Sequence, residues 1–199
     1  KAGITKPIIV MNPEMHALHT LFAYNLQPEV YSFRLLDALV HEARNEGVTD
    51  FPIHVKLDTG MHRLGFAPIH DMPELVRSLK AQKALMPISV FSHFVGSDDD
   101  AFDEFSTQQY ELFNRGADTL QHAYRHHILR HICNSAGIEH FPDRQLDMVR
   151  LGLGLYGINP RNNSTSAPMH PVSRLTTTIL QIHELKAGET IGYGRHTTL

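Results

Sequence analysis

The chain has 199 residues, 42% of them hydrophobic and 20% charged, with 18 basic against 21 acidic side chains for a formal charge of −3. That length suits one domain, or one domain and part of a second, and the composition excludes a disordered chain. The near balance of charge excludes a broad nucleic-acid-binding surface, and no apolar run approaches the roughly 18 residues that would span a membrane.

The N-terminal stretch from Lys1 to Pro7 lacks the apolar core of a secretory signal, and it begins without methionine, as an excised piece of a longer protein would. The sole cysteine, Cys133, has no partner for an internal disulfide, which fits a cytoplasmic location.

Short β-rich runs alternate with amphipathic ones. Strands are expected at Pro7–Met11, Pro28–Phe33, Phe51–Leu57, Ile88–Phe94, His127–Asn134 and Met148–Tyr156. Between them, Leu35, Leu36, Leu39, Val40 and Ala43 fall on one helical face, which Gly47 ends. Ile69, Met72, Leu75, Val76 and Leu79 form a second such face. There Asp71-Met72-Pro73-Glu74 has the form of a capping box. A third helix is expected from Phe102 to Ala123, with Phe105, Gln109, Leu112, Phe113, Gly116 and Leu120 inward.

This β/α alternation implies parallel crossovers in an α/β fold, either a (β/α)8 barrel or a doubly wound sheet. The expected organisation is a partial TIM-type barrel over residues 1–158, a polar linker over 159–171, and the first strands of a mostly β domain over 172–199. Leu175–Leu185 is the strand-like part of that last segment.

In such folds the chemistry gathers at the carboxyl ends of strands. Those ends carry Lys56, Asp58 and Arg63, then Ser92 and His93, then Asn134 and Ser135, then Arg150, Gly152 and Leu153. Ser135 and Gly152 suit close approach to a phosphate, the alternative being a turn and a barrel corner. Arg150 lies in a run otherwise fit for burial, so it either serves a ligand or pairs with an acid such as Asp147. Lys56 poses the same choice, with Asp58 the nearest acid in sequence. Fifteen histidines invite a metal reading. There is no His-Glu-x-x-His and no carboxylate at ligand spacing, so no metal is expected.

The run from His54 to Phe66, His-Val-Lys-Leu-Asp-Thr-Gly-Met-His-Arg-Leu-Gly-Phe, resembles a signature of alanine racemases. Ser92-His93-Phe94, Cys133-Asn134-Ser135-Ala136-Gly137 and Met148–Gly157 resemble the strand ends that follow in that family, in the same order over nearly the whole chain. Met61-His62-Arg63 is also similar to the racemase half of fused cell-wall ligase–racemase proteins.

The resemblance implies a barrel that holds pyridoxal 5'-phosphate at its mouth, alanine as substrate, D-alanine for peptidoglycan as product, and a homodimer. It implies that Arg150 faces the pyridine nitrogen and that Asn134, Ser135, Gly152 and Leu153 hold the cofactor. It also implies catalytic places for Arg63, His93 and Lys56, the last carbamylated. The family's Schiff-base lysine sits in an Ala-Tyr-Gly-His-Gly context, which none of Lys1, Lys6, Lys56, Lys80, Lys83 and Lys186 has. Tyr193 lies in a segment that resembles one upstream of the family's catalytic tyrosine. The isolated chain is therefore expected to be inactive.

The alternatives are a non-catalytic pyridoxal-phosphate carrier, a serine racemase, and a basic-amino-acid decarboxylase. The last would show a glycine-rich loop and a carboxylate at the ring nitrogen, where this chain has Arg150.

Overall fold

A computed structural model describes residues 3–161, 169–182, 184–191, 194 and 197–198. The strands are β1 (Ile9–Val10), β2 (Gln27–Val30), β3 (Phe51–Lys56), β4 (Leu85–Phe91) and β5 (Leu129–His131). All pair in parallel in the order β1-β2-β3-β4-β5. A doubly wound sheet reverses its strand order near the middle, whereas a barrel adds each strand beside the last. The unreversed order makes this sheet an open arc of a (β/α)8 barrel.

The helices are α1 (Leu18–Ala23), α2 (Phe33–Asn45), α3 (Met72–Lys80), α4 (Asp103–His122) and α5 (Ser135–His140). None among the described residues is long and apolar enough to cross a membrane.

Ser32 caps α2 by accepting the Leu35 N–H at 3.3 Å, and Gly47 closes it at φ +66°. Leu35, Leu36 and Leu39 of α2 are buried with Leu75 and Leu79 of α3 and Phe113 and Leu120 of α4. With Val30, Ile53, Val55 and Val90 from the sheet's outer face they make one core. Gly116 lets α4 approach closely, since a Cβ there would stand 2.7 Å from Leu57.

Several expectations change. The capping box of α3 does not form: Asp71 has helical backbone and its carboxylate accepts the Ala67 N–H at 2.8 Å. Ile69, before that helix, is exposed, as is Phe105 on α4. The run Met148–Tyr156 is not a strand. It lies beside β5 through Asp147 N–H to Arg130 O at 3.1 Å and Arg150 N–H to Cys133 O at 3.0 Å, then turns into a short 3-10 helix at Leu153–Tyr156. Among the described residues no further strand flanks it to complete a ladder.

Residues 171–182 likewise form no strand. Leu175 and Leu180 are almost fully exposed, so their β-branched neighbourhood lacks a sheet to join. The last described segments pair as a short antiparallel ribbon, β6 (Thr190–Ile191) with β7 (Thr197–Thr198). Tyr193 lies outside the described residues.

After β3 the chain loops out and returns to its own strand. Phe66 N–H donates to Lys56 O at 2.9 Å and Asp58 N–H to Phe66 O at 2.9 Å. Gly65 permits that return: at φ +136°, a Cβ would lie 2.4 Å from the Asp58 nitrogen. Gly65→Ala is expected to destabilise the chain by about 2–4 kcal/mol, read as a lowered urea midpoint by circular dichroism.

Candidate active site

The carboxyl ends of β2 to β5 and the segment from Arg150 to Leu153 enclose an open cavity of about 540 Å³. Lys56, Arg63, His93, Asn134, Ser135, Arg150, Gly152 and Leu153 all line it. All the site residues expected from sequence thus meet in one place, although they come from four separate stretches of chain.

Arg150 is the centre of the arrangement. Its Nη1 donates to His131 Nδ1 at 2.6 Å, and its Nη2 donates to Ser92 O at 2.6 Å and to Ile132 O at 3.2 Å. His93 Nδ1 lies 3.3 Å from Nη2, and the guanidinium sits 5.1 Å from the centre of the Phe91 ring. Among the described residues no carboxylate pairs with it. Asp147, the acid weighed from sequence, accepts instead from His127 Nε2 at 2.9 Å and from the Arg130 N–H at 2.8 Å. Burial lowers the Arg150 pKa to about 10, and the nearby Glu29 opposes that fall.

Lys56 does have an acid, and it is Glu29 rather than Asp58. Lys56 Nζ lies 2.9 Å from Glu29 Oε1, and both side chains are buried. Glu29 Oε2 accepts the Asn12 N–H at 2.8 Å. Asp58 is occupied by the N–H groups of Gly60 and His62, each at 3.0 Å, so it shapes the loop that carries Arg63. Arg63 itself is exposed at the cavity rim.

Ser135 Oγ accepts the N–H of Gly152 at 2.9 Å and of Gly154 at 3.2 Å. The Ser135 hydroxyl thus meets the Gly152 backbone at the cavity wall, with both N–H groups spent on its oxygen. Asn134 lines the wall, but its Oδ1 accepts from the Gly137 N–H at 2.9 Å and from Ser97 Oγ at 2.7 Å, so its amide mainly orders the turn.

Outside the cavity, Asp100, Asp103 and His140 have ligand atoms within 4.8 Å of one another, and Arg161 pairs with Asp100.

Glu29 and His131 were not singled out from sequence. Period-2 alternation carries the signal for both, because Glu29 alternates with outward Val30 and His131 with the buried Ile132. Their partners lie on other strands, which spacing does not reveal.

The family of the alanine racemase N-terminal domain matches residues 1–160. The chain belongs to the alanine racemase family. An alanine racemase of Aeromonas hydrophila is 35% identical over 202 residues, covering 96% of this chain and 52% of that protein. A solved alanine racemase of Clostridium difficile 630 is 28% identical, with TM-score 0.83 over 98% of this chain and 51% of that one. The alanine racemase of Bartonella henselae, solved with covalently bound pyridoxal phosphate, shares the fold at 22% identity and TM-score 0.78, covering 96% of this chain and 51% of that one. The chain thus spans about half the length of these relatives.

In this racemase-family barrel, among the described residues, His54 and His131 are buried and His93 is half-buried. Burial lowers His54 and His93 to about 4 and His131 to about 3, with Arg150 adding to the fall at His93 and His131. The unfolded chain takes up these protons near pH 6.5, well before the folded one does. Stability is therefore complete above about 6.5 and falls as pH drops towards 4, by up to about 3 kcal/mol per histidine. Thermal unfolding followed between pH 7.5 and 4 is expected to show this decline, and His54→Gln should make it shallower.

Proposed function

We propose that this chain is the central, cofactor-binding part of a racemase that interconverts L- and D-alanine with pyridoxal 5'-phosphate and supplies D-alanine for peptidoglycan. The observation that carries this reading is Arg150, a cavity-lining guanidinium held entirely by neutral acceptors.

The residues fit the cofactor. Ser135 and the N–H groups at Gly152 and Leu153 would hold its phosphate, the Gly152 N–H giving up its bond to Ser135 Oγ for the anion, and the Phe91 and Phe94 side chains supply apolar wall. When bound, pyridoxal phosphate supplies an electron sink that acidifies the substrate's Cα–H. Arg150 would donate to the ring nitrogen and leave it unprotonated, which weakens the sink. A weak sink suits racemisation, because prolonged delocalisation opens side reactions. The same residue disfavours a decarboxylase, where a carboxylate would protonate the nitrogen.

Arg63, exposed at the rim, would attract the substrate carboxylate. His93, held neutral by burial and by three nearby cations, would accept a hydrogen bond beside the ring.

Lys56 is better read as an ammonium than as the carbamate implied by the resemblance. A carbamate on Lys56 would set a second anion against the Glu29 carboxylate, whose Oε1 lies 2.9 Å from Nζ. NMR of the chain in 13C-bicarbonate is expected to show no carbamate resonance. A resonance that disappears in Lys56→Arg would overturn this.

The 199-residue chain by itself is proposed to bind pyridoxal phosphate reversibly and not to racemise alanine, since it lacks the family's Schiff-base lysine motif. Equilibrium dialysis should show binding that Ser135→Ala weakens about tenfold, and a coupled D-alanine assay should show no turnover. In the whole protein, acting as a homodimer, Arg150→Glu is expected to lower racemisation at least a hundredfold while substrate-dependent side reactions rise. Unchanged racemisation in that variant would refute the assignment.

A further inference from the structure

The inner face of the sheet carries an unbroken row of hydrogen-bonded side chains that ends at Arg150. Gln27 on β2 lies 3.0 Å from His54 Nε2 on β3, and His54 Nδ1 lies 2.6 Å from Ser89 Oγ on β4. Ser89 Oγ lies 3.2 Å from His131 Nε2 on β5, and His131 Nδ1 lies 2.6 Å from Arg150 Nη1. His54, Ser89 and His131 are all buried, the last two completely.

With the Gln27 oxygen facing His54, one arrangement of protons satisfies every contact in this row. A guanidinium donates and never accepts, so Arg150 requires a lone pair on His131 Nδ1. The His131 proton must then sit on Nε2, which donates to Ser89 Oγ. The Ser89 hydroxyl, having accepted, donates its own proton to His54 Nδ1. His54 in turn carries its proton on Nε2 and donates to Gln27 Oε1. Reversing the direction would set a His131 Nδ1–H against an Arg150 N–H. Protonating either ring would also break the row, and the buried environment that keeps both rings neutral protects it.

The charged groups nearest the row are Arg150 at its end and the Lys56–Glu29 pair beside it, and the latter two neutralise each other.

We infer that this row sets the height and rotation of the Arg150 head through the tautomer of His131, with Ser89 and His54 as positioning residues for the group that faces the cofactor ring. Ser89 is the link that matters most. It is the one member able to accept from one histidine and donate to the other at the same oxygen. The role assigned to Arg150 rests on the proposed function, whereas the direction of the row does not.

The test uses the chain labelled with 15N-histidine. Long-range 1H–15N correlation at pH 7 is expected to show both His54 and His131 protonated at Nε2 and bare at Nδ1. Arg150→Met removes the constraint at one end, so His54, three links away, is expected to shift from one tautomer to a mixture. An Nδ1–H tautomer at either histidine in the unaltered chain, or an unmoved His54 in Arg150→Met, would overturn the directed row.

The positioning role is read separately. Ser89→Ala is expected to raise the Kd for pyridoxal phosphate about tenfold, and Ser89→Thr to restore it. An unchanged Kd in Ser89→Ala would reduce the row to polar filling. If the unaltered chain shows the expected tautomers yet binds no pyridoxal phosphate, the proposed function fails while the directed row stands.

Discussion

A half-buried guanidinium with no counter-ion among the described residues is the condition around which this barrel is arranged. Taking a cation from water into a protein interior is costly, and the usual answer is a carboxylate at hydrogen-bond distance. Here the compensation comes from the Ser92 and Ile132 carbonyls, one histidine lone pair and the face of Phe91. Each is neutral, so the positive charge stays uncancelled and available to something in the cavity. A carboxylate in the same place would have bound Arg150 and ended its usefulness.

That choice reaches into the rest of the interior. The inside of a (β/α)8 barrel is ordinarily filled by branched apolar side chains. In this arc it holds Gln27, Glu29, His54, Lys56, Ser89 and His131. Such a lining is tolerable only when the polar atoms are paired. The neutral members hydrogen-bond one another in a row, and the two charged ones form an ion pair at 2.9 Å. The apolar core is therefore displaced to the outer face of the sheet, where Val30, Ile53, Val55 and Val90 meet the helices. Burial thus divides the sheet, with packing outside and chemistry inside.

Much of this was legible in the chain. The leucines of α2 and α3 and the glycine that ends α2 announced their helices, because helical periodicity is local. The strand-end positions of Lys56, His93, Ser135 and Arg150 were legible for the same reason, and all four line one cavity. Expectations failed where a residue's state depends on distant neighbours. Met148–Tyr156 has the composition of a strand but does not make the ladder of one. Asp71 has the sequence of a cap and spends its carboxylate on Ala67. Leu175–Leu185 is β-branched, but through residue 182 it meets no sheet.

The sequence by itself determined the alternation of strands and helices, the family, and the set of groups at the strand ends, since each of these is written in short-range spacing. Only the tertiary structure decided which acid Lys56 meets, that Arg150 meets none among the described residues, and that Ser89 joins His54 and His131 in one row. Those outcomes depend on contacts between strands separated by tens of residues. No local pattern encodes which side chains a parallel sheet will bring level with one another.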